Sequence, residues 1–163
     1  MIAAVVLAAG AATRYGRPKQ QELLPPVLAR LARAAVDEVV VVEGAHPLDP
    51  PPSGVRVVRC ATWERGPGAS LRCGLEALGG AVTHAVVVLA DGPTLDPRAI
   101  DRVVGHRGDA PVVAATYDGA RSHPVVLARA VWAGIPDEGA RALEPLLVDC
   151  SDLEPPGDVD VPA

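Results

Sequence analysis

The sequence has very few aromatic residues: two Trp, two Tyr and no Phe among 163 residues. Since 49% of the chain is hydrophobic, its core has to be built mainly from Ala, Val and Leu. A chain of this length is long enough to bury such a core. The three cysteines, Cys60, Cys73 and Cys150, are odd in number and lack paired spacing. They therefore indicate neither a disulfide framework nor a zinc knuckle.

Long apolar runs and an excess of basic residues are also missing. No run approaches the ~20 apolar residues that a membrane helix needs, and the amino terminus lacks the pattern of a signal peptide. The net charge is −5, which argues against broad nucleic-acid binding because that requires a basic face. A small phosphate site needs only local positive charge. We therefore expect a cytoplasmic protein with neither nucleic acid nor membrane as a partner.

Short valine-rich runs alternate with helical patterns along the chain, which predicts an α/β fold of the three-layer α/β/α, Rossmann-like type with a mostly parallel sheet. We predict one domain over residues 1–163, with an irregular, acidic and proline-rich tail from about residue 151. The predicted strands cover residues 2–7, 38–43, 55–59, 84–90, 111–116 and 124–127, and the predicted helices cover residues 25–35, 68–79, 97–106 and 138–147. Asp96 followed by Pro97 is typical of a helix start.

The stretch over residues 6–19 is the most informative part of the chain. An apolar run leads into a loop of small residues that carries Arg14, Arg17 and Lys19. Small residues let backbone N–H groups approach a ligand closely, and the cations suit a polyphosphate. The loop is neither a P-loop nor the Gly-x-Gly-x-x-Gly dinucleotide turn, and a charged but ordinary strand-to-helix turn is the alternative.

The pattern Leu-Ala-Ala-Gly-x-x-x-Arg-x-Gly-x-Pro-Lys over residues 7–19 resembles the signature of the molybdenum-cofactor (molybdopterin) nucleotidyltransferases. This resemblance implies a truncated form of the fold shared with nucleotide-sugar transferases. It also implies transfer of a nucleoside monophosphate from CTP or GTP to a phosphate-bearing acceptor. The triphosphate-binding residues that it implies are Leu7, Ala8, Ala9, Gly10, Ala11, Arg14 and Lys19. Within that set, Arg14 and Lys19 are the expected catalytic residues.

The segment over residues 63–75 resembles the part of that family that lies near the base and ribose, and it is closer to the cytidylyl than to the guanylyl branch. The resemblance implies that Ser70 and Arg72 border the nucleotide and that CTP is favoured over GTP. A simpler interpretation is a helix start with a buried leucine stripe. Both can hold, because a helix N-terminus is also a polar-ligand site.

A buried strand followed by Asp91-Gly92-Pro93 places a carboxylate at the carboxyl edge of a parallel sheet, where such proteins bind ligands. A carboxylate there can hold Mg²⁺, and a turn-forming Asp is the alternative. The family resemblance implies that Asp91 and, in the tail, Asp160 are the two metal ligands. Without the resemblance, Asp160 would be interpreted as a solvated acidic residue.

Three residues resemble positions on the acceptor side of the family's cleft: Tyr117, His123 and Arg141. His123 precedes Pro124, so a simple turn histidine is an equal alternative. Arg141 has the alternative of a solvated arginine on a helix. The acceptor phosphate is already ionised and hardly needs a catalytic base.

These features together predict Mg²⁺-dependent transfer of CMP from CTP to a small phosphorylated acceptor such as molybdopterin, with release of pyrophosphate. The chain departs from the family pattern in its short region after Lys19 and in its short tail. Those departures favour a second hypothesis, a non-catalytic nucleotide-binding or regulatory domain that lost the acceptor site. Intact Arg14, Lys19 and Asp91 favour the enzyme.

Overall fold

The computed structural model describes residues 1–10 and 19–157. The strands are β1 (Ile2–Ala8), β2 (Glu38–Glu43), β3 (Val55–Arg59), β4 (His84–Leu89), β5 (Val112–Tyr117), β6 (Ala120–Ala128) and β7 (Leu146–Asp149). The α-helices are α1 (Lys19–Leu31), α2 (Pro67–Glu76) and α3 (Pro97–Gly105), and 3-10 turns cover Trp63–Arg65, Arg129–Gly134 and Ala140–Ala142.

Within the described part of the chain, the strands form one sheet in the order β3-β2-β1-β4-β6-β5-β7. β3, β2, β1 and β4 are mutually parallel, whereas β6 runs antiparallel to both β4 and β5. The chain leaves β1 to form β2 on one side and later returns to form β4 on the other. This reversal of direction is a topological switch point, located at the carboxyl ends of β1 and β4.

The sheet is covered on both faces. α1 and α3 pack on one face through leucines, valines and Ile100, and α2 packs on the other through Leu71, Leu75 and Leu78. Both cores consist almost entirely of Ala, Val, Leu and Ile, with Tyr117 as an aromatic member of the first. The predicted three-layer α/β fold with a mostly parallel sheet is therefore confirmed.

The predicted strands are confirmed within a few residues at each end, and so is the start of α3. There the Asp96 carboxylate accepts a hydrogen bond from the backbone N–H of Arg98 at 2.9 Å, which caps the helix. α1 begins six residues earlier than predicted and contains Pro25 and Pro26. Burial of Leu24, Val27 and Leu28 on one side of α1 accounts for a helix that runs through two prolines.

The predicted helix over residues 138–147 is wrong. Gly139 adopts a φ of +88°, outside helical backbone geometry, and only a 3-10 turn follows it at Ala140–Ala142. Beyond Pro145 the chain forms β7 instead, which pairs in parallel with β5. The apolar residues that suggested a helix stripe are thus divided between a turn and a strand.

β6 is longer than predicted and irregular in the middle. Ala114 pairs with Val125 and Thr116 pairs with Arg121, so three residues of β6 (122–124) face a single residue of β5. A bulge of this kind accommodates Pro124, which has no N–H to give to a ladder, and it re-aims the neighbouring side chains. His123 lies at the centre of this bulge.

The expectation that the cysteines form no disulfide is wrong for two of them. Cys60 is bonded to Cys73, whereas Cys150 is free and buried. Cys60 directly follows β3 and Cys73 lies on α2, which packs against β2 and β3. Their proximity comes from this tertiary packing, which a spacing of 13 residues does not indicate.

The described part of the tail, residues 151–157, has turns but no helix or strand. It packs on the loop that follows β4. The backbone N–H of Thr94 donates to the carbonyl of Pro156 at 3.1 Å, and the Thr94 hydroxyl donates to the carbonyl of Pro155 at 2.6 Å. The tail is therefore directed to the immediate neighbourhood of Asp91.

Candidate nucleotidyltransfer site

A cleft of about 420 Å³ opens at the carboxyl ends of β1 and β4, at the switch point of the sheet. Its floor is apolar and its rim carries charged and polar side chains. The lining residues are Leu7, Pro67, Leu71, Val87, Val88, Leu89, Gly92, Leu95, Arg121, Ser122, His123, Val125, Glu138, Gly139, Ala140, Arg141, Pro156 and Gly157. Few convergent polar groups above an apolar floor are typical of a small-molecule site.

The end of β1 brings the predicted phosphate loop to this cleft. Leu7 lines the cleft, Ala8 and Ala9 are buried, and Gly10 is exposed where the loop begins. Lys19 is the first residue of α1. Ala11 and Arg14 lie outside the described residues, so their predicted roles stay predictions.

Helix α2 borders the cleft through its first two turns, and the nucleotide contacts of Ser70 and Arg72 stay predictions. Pro67 and Leu71, one helical turn apart, line the cleft. Ser70 is only 4% exposed. The Arg72 guanidinium instead donates to the backbone carbonyl of Ile135 at 2.7 Å and to the carboxylate of Asp137 at 2.6 Å. Neither predicted nucleotide contact on α2 is among the residues that line the cleft.

The amino end of α2 is in direct contact with the loop that contains Asp137. The backbone N–H of Gly68 donates to the carbonyl of Asp137 at 2.9 Å. A Cβ added at Gly68 would lie 1.7 Å from the carbonyl oxygen of Pro136, so only glycine permits this approach. This first helical N–H therefore has a protein partner.

Asp91 follows β4 as predicted, is half-buried and is followed by Gly92, which lines the cleft. Its carboxylate has the hard oxygen donors that Mg²⁺ prefers, and Mg²⁺ is commonly held by one or two carboxylates plus substrate phosphates. Over residues 1–10 and 19–157, no three His, Cys, Asp or Glu side chains lie close enough to hold a metal together. Asp160, the predicted second ligand, lies outside the described residues. A divalent ion held at Asp91 would therefore take its other ligands from a nucleotide or from outside the described residues.

His123 lies in the cleft because the bulge in β6 turns it there. Desolvation by burial lowers the pKa of His123 to about 4, with the charge of Asp91 opposing and that of Arg121 assisting. The imidazole is thus neutral at neutral pH. It supplies a hydrogen-bonding group without charge on the predicted acceptor side.

Tyr117, the second predicted acceptor contact, is in the core rather than in the cleft wall. It is 6% exposed, and its hydroxyl donates to the backbone carbonyl of His123 at 3.0 Å. Burial raises the pKa of this hydroxyl above its ordinary value, so it stays a donor. Tyr117 therefore supports the bulge that presents His123.

Arg141, the third predicted acceptor contact, is exposed and lines the cleft from a 3-10 turn rather than from a helix. Arg121 lines the same wall and was missed. Its guanidinium donates to the carbonyls of Ala140 at 2.8 Å and Leu143 at 2.9 Å. The available signal was a cation two residues before the His-Pro pair.

The structure thus brings together Leu7, Gly92 after Asp91, His123 and Arg141 around one cleft, and it places Ser70, Arg72 and Tyr117 behind its walls. No helix in the described ranges combines the length and apolar character of a membrane span. An open α/β sheet with a polar-rimmed cleft at its switch point defines a nucleotide-binding protein of the Rossmann-like class.

The chain belongs to the family of MobA-like NTP transferase domains, which matches residues 4–147. It is accordingly a nucleotidyltransferase. A search of curated proteins gave no match.

Solved structures of similar fold cover nearly the whole chain. The chain is similar to the Rv0371c homolog from Mycobacterium sp. strain JC1, at 22% identity and a TM-score of 0.81, covering 98% of this chain and 90% of the other. It is similar to Rv0371c from Mycobacterium tuberculosis H37Rv, at 27% identity and a TM-score of 0.78, covering 98% and 93%. A manganese complex of Rv0371c matches at 25% identity and a TM-score of 0.69, covering 91% and 88%.

Proposed function

We propose that this nucleotidyltransferase transfers CMP from CTP to a small phosphorylated acceptor such as molybdopterin, releases pyrophosphate and uses Mg²⁺. The observation that supports it best is the juxtaposition in one cleft of the end of β1, the turn after Asp91 and the wall with His123 and Arg141. The first two belong to the predicted nucleotide side and the third to the predicted acceptor side. A cleft with both sides is what a two-substrate transfer requires.

In the proposed reaction, an oxygen of the acceptor phosphate attacks the α-phosphorus of CTP. The bond from the α-phosphorus to the bridging oxygen breaks, and that oxygen leaves as part of pyrophosphate. The acceptor oxygen is already ionised, so neutral His123 serves to orient it rather than to remove a proton. Phosphoryl chemistry of this type depends mainly on positioning and on charge stabilisation.

The remaining roles follow the sequence pattern. Backbone groups at Ala9, Gly10 and Ala11 hold the triphosphate, and Arg14 and Lys19 stabilise the charge that builds on the α-phosphate and on pyrophosphate. Asp91 and Asp160 would hold Mg²⁺, which when bound neutralises phosphate oxygens. Rv0371c has been solved as a complex with manganese, which supports the use of a divalent ion. Preference for CTP over GTP rests on the pattern over residues 63–75.

One experiment tests both halves of the proposal. Thermal shifts with CTP and GTP, with and without Mg²⁺, should show a CTP-specific shift that Asp91→Asn abolishes. Pyrophosphate release with CTP and molybdopterin should fall at least ~10²-fold in Lys19→Ala, the scale for one preorganised stabilising group. CTP binding without pyrophosphate release would favour the non-catalytic nucleotide-binding domain, and a shift with GTP alone would reverse the choice of base.

A further inference from the structure

Residues 135–143, here named the bridging segment, form one wall of the cleft. The segment contributes Glu138, Gly139, Ala140 and Arg141 to the lining, yet it has neither an α-helix nor a strand within it. Its internal backbone hydrogen bonds are those of single turns, from Gly139 to Pro136, from Ala142 to Gly139 and from Leu143 to Ala140. Contacts from outside the segment therefore hold this wall: one is the backbone hydrogen bond from Gly68 to Asp137, and others come from side chains.

Arg72 of α2 holds the first part of the bridging segment. Its guanidinium donates to the Ile135 carbonyl at 2.7 Å and to the Asp137 carboxylate at 2.6 Å, and Arg65 lies 3.5 Å from the same carboxylate. The Arg72 side chain is 25% exposed, so this charge-assisted pair is partly shielded from water. Its hydrogen bonds lower the pKa of Asp137 below the ordinary value.

Arg121 of β6 holds the second part of the segment. Its two terminal nitrogens donate to the carbonyls of Ala140 at 2.8 Å and Leu143 at 2.9 Å. A longer contact reaches the carbonyl of Arg141 at 3.4 Å. The planar fork of a guanidinium matches such a set of carbonyls, which a lysine could not satisfy in the same way.

We propose that Arg72 and Arg121 are positioning residues that together fix the bridging segment as the acceptor-side wall of the cleft. On this proposal, Arg72 affects acceptor binding through Asp137 and does not act by touching the nucleotide. The assignment of this wall to the acceptor rests on the proposed function. The hydrogen bonds by which the two arginines hold the segment are independent of the proposed function.

The test compares Arg72→Gln, Asp137→Asn and Arg121→Gln with the unmodified protein and with Arg129→Gln as a matched control. Arg129 also donates to two backbone carbonyls, those of Gly79 and Val82, but it lies at the opposite end of β4. The measurements are hydrogen exchange of peptides covering residues 135–143, calorimetric affinity for CTP with Mg²⁺, and KM for molybdopterin in pyrophosphate release.

We expect exchange of the bridging segment to rise about tenfold or more in the first three variants, the size expected for loss of a hydrogen bond to a charged group. CTP affinity should stay unchanged in Arg72→Gln and Asp137→Asn, and KM for molybdopterin should rise at least about tenfold in all three variants, since small misplacements at a reacting site are costly. Arg129→Gln should leave all three quantities unchanged. Asp137→Asn keeps Arg72 and preserves the size of the side chain at position 137. It therefore separates loss of the ion pair with Arg72 from misfolding.

Two results would overturn the proposal. If Arg72→Gln weakens CTP binding tenfold or more while Asp137→Asn does not, Arg72 contacts the nucleotide directly. If exchange of residues 135–143 stays unchanged in the variants, the arginines do not hold the wall. Absence of pyrophosphate release from the unmodified protein would contradict the proposed function instead. The exchange and CTP measurements would still show whether the two arginines hold the bridging segment.

Discussion

The two halves of the sheet are held together in different ways. β3, β2, β1 and β4 form an unbroken parallel ladder, and the valines of β1 and β4 are only 0–1% exposed. In β6, β5 and β7 the ladder contains a bulge, and the wall next to it is held by arginines that bind backbone carbonyls. The parallel half is thus specified by regular apolar patterning, and the wall beside the other half by individual polar contacts.

The two halves of the sheet also supply different sides of the cleft. The regular half supplies the end of β1 and the turn after Asp91, where a polyphosphate needs fixed backbone donors. The irregular half supplies His123 and Arg141, which belong to the predicted acceptor side. A wall built from a few side-chain contacts can change between relatives with fewer consequences for the core than a ladder strand can.

The largest expected effect concerns the disulfide, which reinforces the regular half. Its sequence separation is 13 residues, and closure of a loop of roughly this size restricts the unfolded chain by about 3 kcal/mol. We expect reductant to lower the free energy of unfolding by that order in urea titrations. The Cys60→Ser/Cys73→Ser variant should be less stable and insensitive to reductant. Titration of three free thiols in the unreduced protein would contradict the bond.

A smaller effect is expected where the two halves meet, at Gly68. Alanine there would place Cβ 1.7 Å from the Pro136 carbonyl oxygen, whereas nothing lies within 4 Å of a Cβ at Gly79. We expect Gly68→Ala to cost about 1–3 kcal/mol, as overpacking typically does, and to loosen residues 135–143. Gly79→Ala, the matched control, should change stability by less than about 1 kcal/mol in either direction. Equal unfolding curves for the two variants would show that this contact is dispensable.

A pH-dependent effect is expected from His123. Burial lowers the pKa of His123 to about 4 in the folded protein, against about 6.5 when unfolded. Between these values the unfolded chain binds more protons, so stability falls as pH drops from about 6.5 towards 4. His123→Gln should lose less stability across that window, as measured by thermal unfolding at several pH values. An identical pH profile in the variant would contradict a buried, neutral imidazole.

What the sequence could predict follows the same division. Continuous valine runs identify buried parallel strands because side chains on both faces are apolar, and the Asp after β4 follows from the end of such a run. The helix over residues 138–147 was mispredicted because local periodicity does not show that Leu146 and Leu147 belong to a strand paired with β5. The partners of Arg72 lie 63 and 65 residues away, and no local pattern carries that information.

The contacts of Arg121 have an electrostatic consequence beyond holding the wall. A carbonyl oxygen satisfies a guanidinium donor but, unlike the carboxylate that faces Arg72, it cancels none of its unit charge. Arg121 therefore brings an uncancelled positive charge to the cleft lining in a protein of net charge −5. Field lines from such a site attract an anionic acceptor during diffusional encounter. That attraction weakens as added salt shortens the Debye length.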